Sequence, residues 1–513
     1  MSSKNFYVTS PIYYVNDVPH IGHAYTSIAC DVKARFKRLD GNDVFFLTGT
    51  DEHGQKVEKS ALARGKKPQE FCDEVSQKFR ELAQLLQLSN DDFIRTTEER
   101  HKKTATKFWE ILEKNGFIYK STYEGWYALR DEAFYNEDEL VDGKAPTGAE
   151  VSWHKEESYF FKLSAFEEKL LTLYEAAPDF IQPQSRHNEV VSFVKGGLKD
   201  LSISRTSFSW GIPVPGDEKH VMYVWLDALV NYLSALGFAD EGELYQKFWI
   251  DGHEAPTHIV GKDIVRFHAV YWPAFLMAAN LNVPYQIYAH GWWTNMGQKI
   301  SKSLGNVIDP LKEIQWLETL GCNHETALDY FRYFLLREVP FGNDGDYSRA
   351  NFVTRVNAEL ANNLGNLAQR SLSMIHKNCD AKIPQGEEHV KALIEPYVEN
   401  VFAMMKDFSY DRAIGSILDF ATLINKRFND AAPWNLKKEN KINEMNSALF
   451  EAAESVRLIA ILLLPFVPNS ANKILDILNI DSSKRNFAAL NESLKVGHQI
   501  NEPKGAFPRL ENK

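Results

Sequence analysis

The sequence predicts an α/β protein: a split parallel sheet that carries an inserted segment and is followed by a C-terminal α-helical bundle. Three observations predict it. Strand-like and helix-like runs alternate near the N-terminus at the spacing of parallel crossover units. Short, aromatic-rich alternating stretches interrupt that pattern over residues 116–186. Beyond Gly342-Asn-Asp-Gly345, apolar residues recur every three or four positions, the spacing of packed helices.

In order, residues 6–10 form an apolar run that reads as a buried strand, and a Pro/Tyr/Asn turn leads into an amphipathic helix over about 20–39. Residues 43–48 read as a second strand, with 50–54 as the loop before another helix. The insertion carries turn signals such as Tyr123-Glu-Gly-Trp126 and Val141-Asp-Gly-Lys144. After Asp200 the α/β texture resumes, with strands expected at 257–260 and 286–289 and a helix at 263–278 between them. Helices are expected at 352–375, 390–408, 410–431 and 446–464.

The chain has 513 residues, enough for several domains, and its 44% hydrophobic and 25% charged residues are those of a globular protein. A net charge of −11 argues against unselective binding to nucleic acid. That charge is carried by residues 1–350, because 351–513 is close to neutral and so better suited to dock a polyanion. No apolar run approaches the roughly 18 residues of a membrane helix, so no membrane partner is expected. Cys30, Cys72, Cys322 and Cys379 are far apart and form no CxxC, which points to a reducing compartment without disulfides or a thiolate metal site. Met1-Ser-Ser-Lys4 leads straight into the first strand without a signal-peptide core, so the expected location is cytoplasmic.

Two short motifs carry the chemistry. His20-Ile-Gly-His23 opens the first helix, and two histidines three apart there share one face. Such residues either cap the helix or, beside its N–H groups, donate to phosphate oxygens, and Gly22 lets a flat ligand approach the backbone. The second motif, Lys299-Ile-Ser-Lys-Ser303, lies between Gly297 and Gly305 in a loop of small and polar residues. Lysine suits phosphate as a compact charge on a long arm. Neither motif says much alone. Together they describe a nucleoside triphosphate site with no protein nucleophile.

These motifs, with several longer segments, resemble the class I aminoacyl-tRNA synthetases, and within them the methionyl-tRNA synthetase family. The segments are Ser10-Pro-Ile-Tyr-Tyr-Val-Asn16, Thr48-Gly-Thr-Asp-Glu-His-Gly54, Ser192-Phe-Val-Lys-Gly-Gly-Leu-Lys-Asp-Leu-Ser202, Trp210-Gly-Ile-Pro-Val-Pro215, Tyr223-Val-Trp-Leu-Asp-Ala228, Gly261-Lys-Asp-Ile-Val265 and Ala432-Pro-Trp434. The resemblance spans essentially the whole chain. It implies a Rossmann-like catalytic domain in two halves, 1–115 and 187–295, around a connective insertion at 116–186. Residues 296–350 would hold the lysine loop and a stem-contact region, and 351–513 an anticodon-binding bundle with its tail.

The resemblance also implies site residues. The methionine pocket would comprise Ile12, Tyr14, Asp51, Trp225, Ala228, Leu229, Tyr232, Ile264 and His268, with Asp51 on the ammonium group. Aromatic and apolar walls suit an uncharged, polarizable thioether. His20, Gly22 and His23 would meet the ATP phosphates, and Gly261 and Asp263 the adenine and ribose. Lys299 and Lys302 would act on the α-phosphate and pyrophosphate, with His20 and His23 as their catalytic partners. Mg²⁺ would accompany ATP. Asn366, Arg370, Pro433 and Trp434 would read the anticodon of tRNA(Met), although Trp434 in Ala-Pro-Trp can equally be an aromatic that opens a helix.

The sequence departs from the family pattern in the insertion, where many members carry cysteine-bound zinc. The segments 127–135 and 141–149 contain no cysteine, and His154 alone falls short of the about four ligands zinc takes. No structural zinc is expected. The insertion's length also disfavours the isoleucine-, valine- and leucine-specific relatives, which carry a larger editing domain. The chain ends soon after Gly505-Ala-Phe-Pro-Arg509 without an appended dimerisation domain, so a monomer is expected. Two alternatives stand beside this reading: a nucleotidyltransferase of the HxGH type, and a non-catalytic RNA-binding paralogue.

Overall fold

The computed structural model describes residues 4–15, 18–128, 130, 133–135, 137–295, 297–300, 305–386 and 390–511. Its contacts divide the chain into two compact units, one joining Lys4–Pro19 to Val44–His290 and the other joining His20–Asp43 to Gly291–Lys513.

The first unit is built on a seven-stranded sheet. Strand Asn5–Thr9 runs parallel to Thr257–Gly261, which runs parallel to Gln286–His290, itself parallel to Ile181–Gln182. On the other side of Asn5–Thr9 lies Asp43–Asp51, parallel to both Tyr13–Tyr14 and Asp92–Arg95. Neighbours of the central strand thus come from distant parts of the chain, and the loops leaving Asn5–Thr9 and Thr257–Gly261 emerge side by side. Parallel sheets bind ligands at such a reversal of strand order. Gly49 permits close strand packing, because a Cβ there would collide with the Ile94 carbonyl and press on Ile12.

Two details differ from the sequence expectation. Asp43–Asp51 continues as a strand past residue 48, because Thr50 and Asp51 find parallel partners in Tyr13 and Tyr14. The expected single helix at 263–278 is instead a 3-10 turn at Lys262–Ile264, a wider π-type turn at Phe267–Tyr271 and an α-helix at Trp272–Ala278. The Ile264 carbonyl accepts from the His268 side chain at 3.0 Å, which competes with the regular backbone ladder at that point.

Within the insertion, Ile118–Ala128, Ala133–Tyr135 and Ser152–Phe161 form an antiparallel sheet, joined by Leu201–Ser202. Helices Glu167–Ala176 and Gln184–Lys195 lie in the chain between strands Ser152–Phe161 and Leu201–Ser202. Among the described residues, no cluster of three or more His, Cys, Asp or Glu side chains is arranged to hold a metal, and no helix is long and apolar enough to cross a membrane.

The second unit is mainly helical. Arg349–Arg355, Val356–Gly365 and Asn366–Asn378 form one helical run with wider turns in its middle, followed by Val390–Lys406, Tyr410–Ala431 and Ile442–Leu463. Helix Ile21–Leu39 belongs here. Its buried Asp31 takes the Nη2 of buried Arg332 at 2.6 Å, and Lys33 donates to the Met405 carbonyl at 2.7 Å. The Tyr410 hydroxyl donates to the Ala29 carbonyl at 2.9 Å.

Candidate active site

In the helical unit, His20 is the N-cap of Ile21–Leu39. Its Nδ1 accepts from the Gly22 N–H at 3.1 Å, and Nδ1 of His23 accepts from the His20 N–H at 3.0 Å. This is a capping box in which imidazoles replace the usual hydroxyl and carboxylate. A nitrogen that accepts from an N–H carries no proton, so in the neutral ring the proton sits on Nε2. Capping therefore fixes the tautomer of both residues as Nε2–H donors. Burial, and then the adjacent His20, hold the His23 pKa well below the ordinary histidine value. The rings lie 4.0 Å apart between centroids. A Cβ at Gly22 would meet the His20 ring at 3.0 and 3.1 Å, so glycine here accommodates the capping imidazole itself.

The lysine loop belongs to the same unit. Lys302 lies outside the described residues, as does the side chain of Lys299, whose backbone ends the short strand Gln298–Lys299. The loop's stem is held by Asp346, whose carboxylate accepts from the Gly297 N–H at 2.8 Å and the Thr294 hydroxyl at 2.7 Å. Asn295 Nδ2 donates to the Asn306 carbonyl at 3.0 Å, bridging the loop's two ends. The Ile21 N–H donates to the Ile308 carbonyl at 2.9 Å, so the chain leaving this loop is tied to the start of the histidine helix.

The residues suggested for the amino-acid pocket all lie in the sheet unit. Trp225, Ala228, Leu229 and Tyr232 occupy one face of helix Val224–Ser234, at the i, i+3, i+4, i+7 positions. Trp225 stacks on Phe267 at 3.6 Å with an interplanar angle of 7°. The Tyr232 hydroxyl is 2.7 Å from Nε2 of His268, whose Nδ1 donates to the Ile264 carbonyl. Burial pushes the His268 pKa down to about 4, outweighing the Ile264 carbonyl and Asp263, so the ring is neutral and Tyr232 is the donor. Leu229 and Tyr232 are part of one buried apolar cluster, against which Ile12, Tyr14, Trp225 and Ile264 pack. Tyr14 is the register partner of Asp51 at the adjoining strand ends. Gly261 ends its strand opposite His290, and a Cβ on it would sit 2.5 Å from Oδ1 of the exposed Asp263.

In the bundle, Arg370 and Trp434 are brought together, the guanidinium 5.0 Å from the indole centroid and 5.6 Å from that of Phe428. Arg370 also donates to Asn429 Oδ1 at 3.0 Å. Asn366, one turn earlier, donates to the Asn362 carbonyl at 3.1 Å. Pro433 is buried at the start of Pro433–Lys438.

Several polar groups beside these residues lie in no motif of their own. Thr9 Oγ1 lies 2.7 Å from Nδ1 of buried His258, whose ring stands 4.2 Å from that of Tyr232. His53 and His101 both bond Asp227 at 2.7 Å. Burial raises the Asp227 carboxyl, but the two imidazoles outweigh this and hold it at about 2. A signal was available: a lone aspartate in Val-Trp-Leu-Asp-Ala-Leu-Val, and a lone histidine in Thr-His-Ile-Val, are unusual in otherwise apolar elements.

The family model "tRNA synthetases class I (M)" matches residues 6–152 and 147–372, and "Anticodon binding domain of methionyl tRNA ligase" matches 380–513. The fold and the first of these models define a class I aminoacyl-tRNA synthetase. The methionine–tRNA ligase of Rickettsia conorii is 55% identical, with 99% of this chain and 100% of that protein covered. That of Brucella suis is 51% identical, with 99% and 98% covered. A solved Mycobacterium tuberculosis methionyl-tRNA synthetase in complex with methionyl-adenylate matches with a TM-score of 0.93 at 47% identity, covering 99% of this chain and 100% of that one. The chain belongs to the methionyl-tRNA synthetase family.

Proposed function

We infer that this chain is a methionine–tRNA ligase, which forms methionyl-adenylate and pyrophosphate from L-methionine and ATP and then transfers methionine to the 3′-terminal ribose of tRNA(Met). One observation carries the choice of substrate: the Tyr232–His268 pair is buried and uncharged, and it lies beside the half-buried, stacked rings of Trp225 and Phe267. A side chain that is apolar, flexible and polarizable fits such a wall. Methionyl-adenylate, the compound in the mycobacterial complex, is the intermediate assigned to this chain.

In the first step the methionine carboxylate attacks the α-phosphorus in line, forming the new P–O bond as the bond to pyrophosphate breaks. Asp51 takes the ammonium group, while Ile12, Tyr14, Ala228, Leu229 and Ile264 complete the pocket. His20 and His23 present Nε2–H donors to phosphate oxygens as charge grows on them. Lys299 and Lys302 neutralise the α-phosphate and the departing pyrophosphate, and Gly261 and Asp263 receive adenine and ribose. Mg²⁺, bound to ATP as part of the substrate, would supply charge neutralisation to the phosphates. In the second step the ribose hydroxyl attacks the activated carbonyl and releases AMP. Neither step uses a protein nucleophile, so rate comes from positioning and charge stabilisation. Trp434 offers a stacking surface to an anticodon base, with Asn366 and Arg370 facing base edges.

The test is charging of tRNA(Met) transcripts with labelled methionine, beside transcripts with an altered CAU anticodon. Charging confined to the CAU transcript supports both steps. Adenylate formation without transfer to any tRNA would favour a nucleotidyltransferase.

A further inference from the structure

The buried carboxylate of Asp227 accepts one bond from Nδ1 of His53 and one from Nε2 of His101, each 2.7 Å long. The second ring nitrogen of His101 lies 3.0 Å from the Ser234 hydroxyl. Asp227 and Ser234 are seven residues apart and share a face of Val224–Ser234, distinct from the face that carries Trp225, Ala228, Leu229 and Tyr232. One helix therefore bears the proposed pocket wall on one side and a polar clamp on another.

The other end of the clamp is the strand end that carries Asp51. Its two following residues are both pinned. Glu52 takes a forked pair of bonds from Arg95 at 2.7 and 2.9 Å, and further bonds from Thr50 at 2.7 Å and Thr97 at 2.6 Å. The Glu52 carbonyl accepts from Trp210 Nε1 at 2.6 Å, and the Gly54 N–H donates to the Trp210 carbonyl at 3.0 Å. His53 then reaches Asp227, 174 residues away in sequence.

Apolar packing would bury this helix without the desolvation cost of an ionised carboxylate. What the carboxylate adds is direction, since charge-assisted bonds fix both distance and angle. A slip of one residue in this helix would turn the pocket face by about 100°.

We propose that Asp227 is a positioning residue of the amino-acid site, which clamps His53 and His101 and so fixes Asp51 relative to the Trp225–Tyr232 wall. This rests on the assignment of Asp51 to the substrate ammonium group. Asp227 itself does not touch substrate, so its loss is felt through Asp51 and selectively by ligands that carry an amino group.

The test is methionine-dependent ATP–pyrophosphate exchange with the full chain, using Asp227→Asn, His53→Ala, His53→Asn, Asp51→Asn and the Asp51→Asn/Asp227→Asn double variant. Inhibition by 4-(methylsulfanyl)butanoate, which is methionine without its amino group, is measured alongside. Asp227→Asn is expected to raise the methionine KM about tenfold, while the ATP KM and the inhibition constant of the desamino compound stay within about twofold. The double variant is expected to be no weaker than Asp51→Asn alone, the signature of two residues acting as a unit. His53→Ala is expected to match Asp227→Asn, and His53→Asn, which keeps an N–H donor near the Nδ1 position, to recover most of the affinity. If Asp227→Asn does not fold, the His53 pair decides. Equal losses for methionine and its desamino analogue, or additive losses in the double variant, would overturn the clamp. So would an unchanged methionine KM in both Asp227→Asn and His53→Ala when Asp51→Asn raises it. An unchanged methionine KM in Asp51→Asn overturns the ammonium assignment, and the clamp with it.

Discussion

The hydroxyl of Tyr232 stands 2.7 Å from Nε2 of His268, and the ring's other nitrogen, which gives its proton to the Ile264 carbonyl 3.0 Å away, sets the direction of that bond. Tyr232 donates and His268 accepts. The pair is without formal charge, and the His268 ring lies beside Trp225, which stacks on Phe267.

This pairing has a pH signature. Unfolded histidine titrates near 6.5, whereas folded His268 is held at about 4. Between those values the unfolded chain binds a proton that the native state does not. The His268 contribution is therefore complete above about pH 6.5, declines as pH falls and is lost by about pH 4, amounting to roughly 3 kcal/mol. His268→Gln should flatten the pH dependence of unfolding in that window; an unchanged slope would show that His268 is not buried and neutral.

Capping and the proposed donation to phosphate can be told apart at His20 and His23. His20→Asn and His23→Glu each supply a residue type suited to its place in a capping box, but neither carries a donor at the position of the imidazole Nε2. Thermal stability should stay close to that of the parent, while the exchange rate falls by about a hundredfold for each. His20→Ala should lose about 1 kcal/mol in addition. Retained activity in His20→Asn would reduce the motif to a helix cap.

Arg332 and Asp31 are both buried and bonded at 2.6 Å, and Arg332 also donates to the Pro465 and Phe466 carbonyls. Arg332→Met should destabilise the protein by about 3–5 kcal/mol in denaturant unfolding, because a buried carboxylate loses its main counter-charge. Pairing it with Asp31→Asn should restore part of that. A loss below about 1 kcal/mol would mean that Arg35, 2.7 Å from the same carboxylate, suffices.

Trp434→Ala should weaken tRNA charging through the tRNA KM and leave pyrophosphate exchange intact, since base stacking is worth about 1–3 kcal/mol. Equal damage to both reactions would assign Trp434 to the packing of the bundle around Phe428 and Arg370.

Much of this was legible beforehand, where local pattern decides structure. The helix expected over 20–39 spans Ile21–Leu39, and the one expected over 410–431 spans Tyr410–Ala431, because capping and amphipathic spacing are local signals. Long-range pairing was less legible. Asp43–Asp51 runs on because of its partner Tyr13–Tyr14, and no local pattern shows that. Nor does one show that helix Ile21–Leu39 joins the unit of residues 291–513, which depends on buried pairs such as Asp31 with Arg332. The resemblance suggested the pocket residues. It did not suggest His53, His101 and Asp227, whose bonds link residues more than a hundred positions apart.

Amino-acid-dependent ATP–pyrophosphate exchange with purified protein, comparing methionine with leucine, isoleucine, valine and cysteine, with and without a zinc-selective chelator, decides which substrate the protein activates. Exchange is expected with methionine alone, unaffected by the chelator. Exchange that favours another amino acid would contradict the pocket, and no exchange with any would contradict the synthetase activity itself.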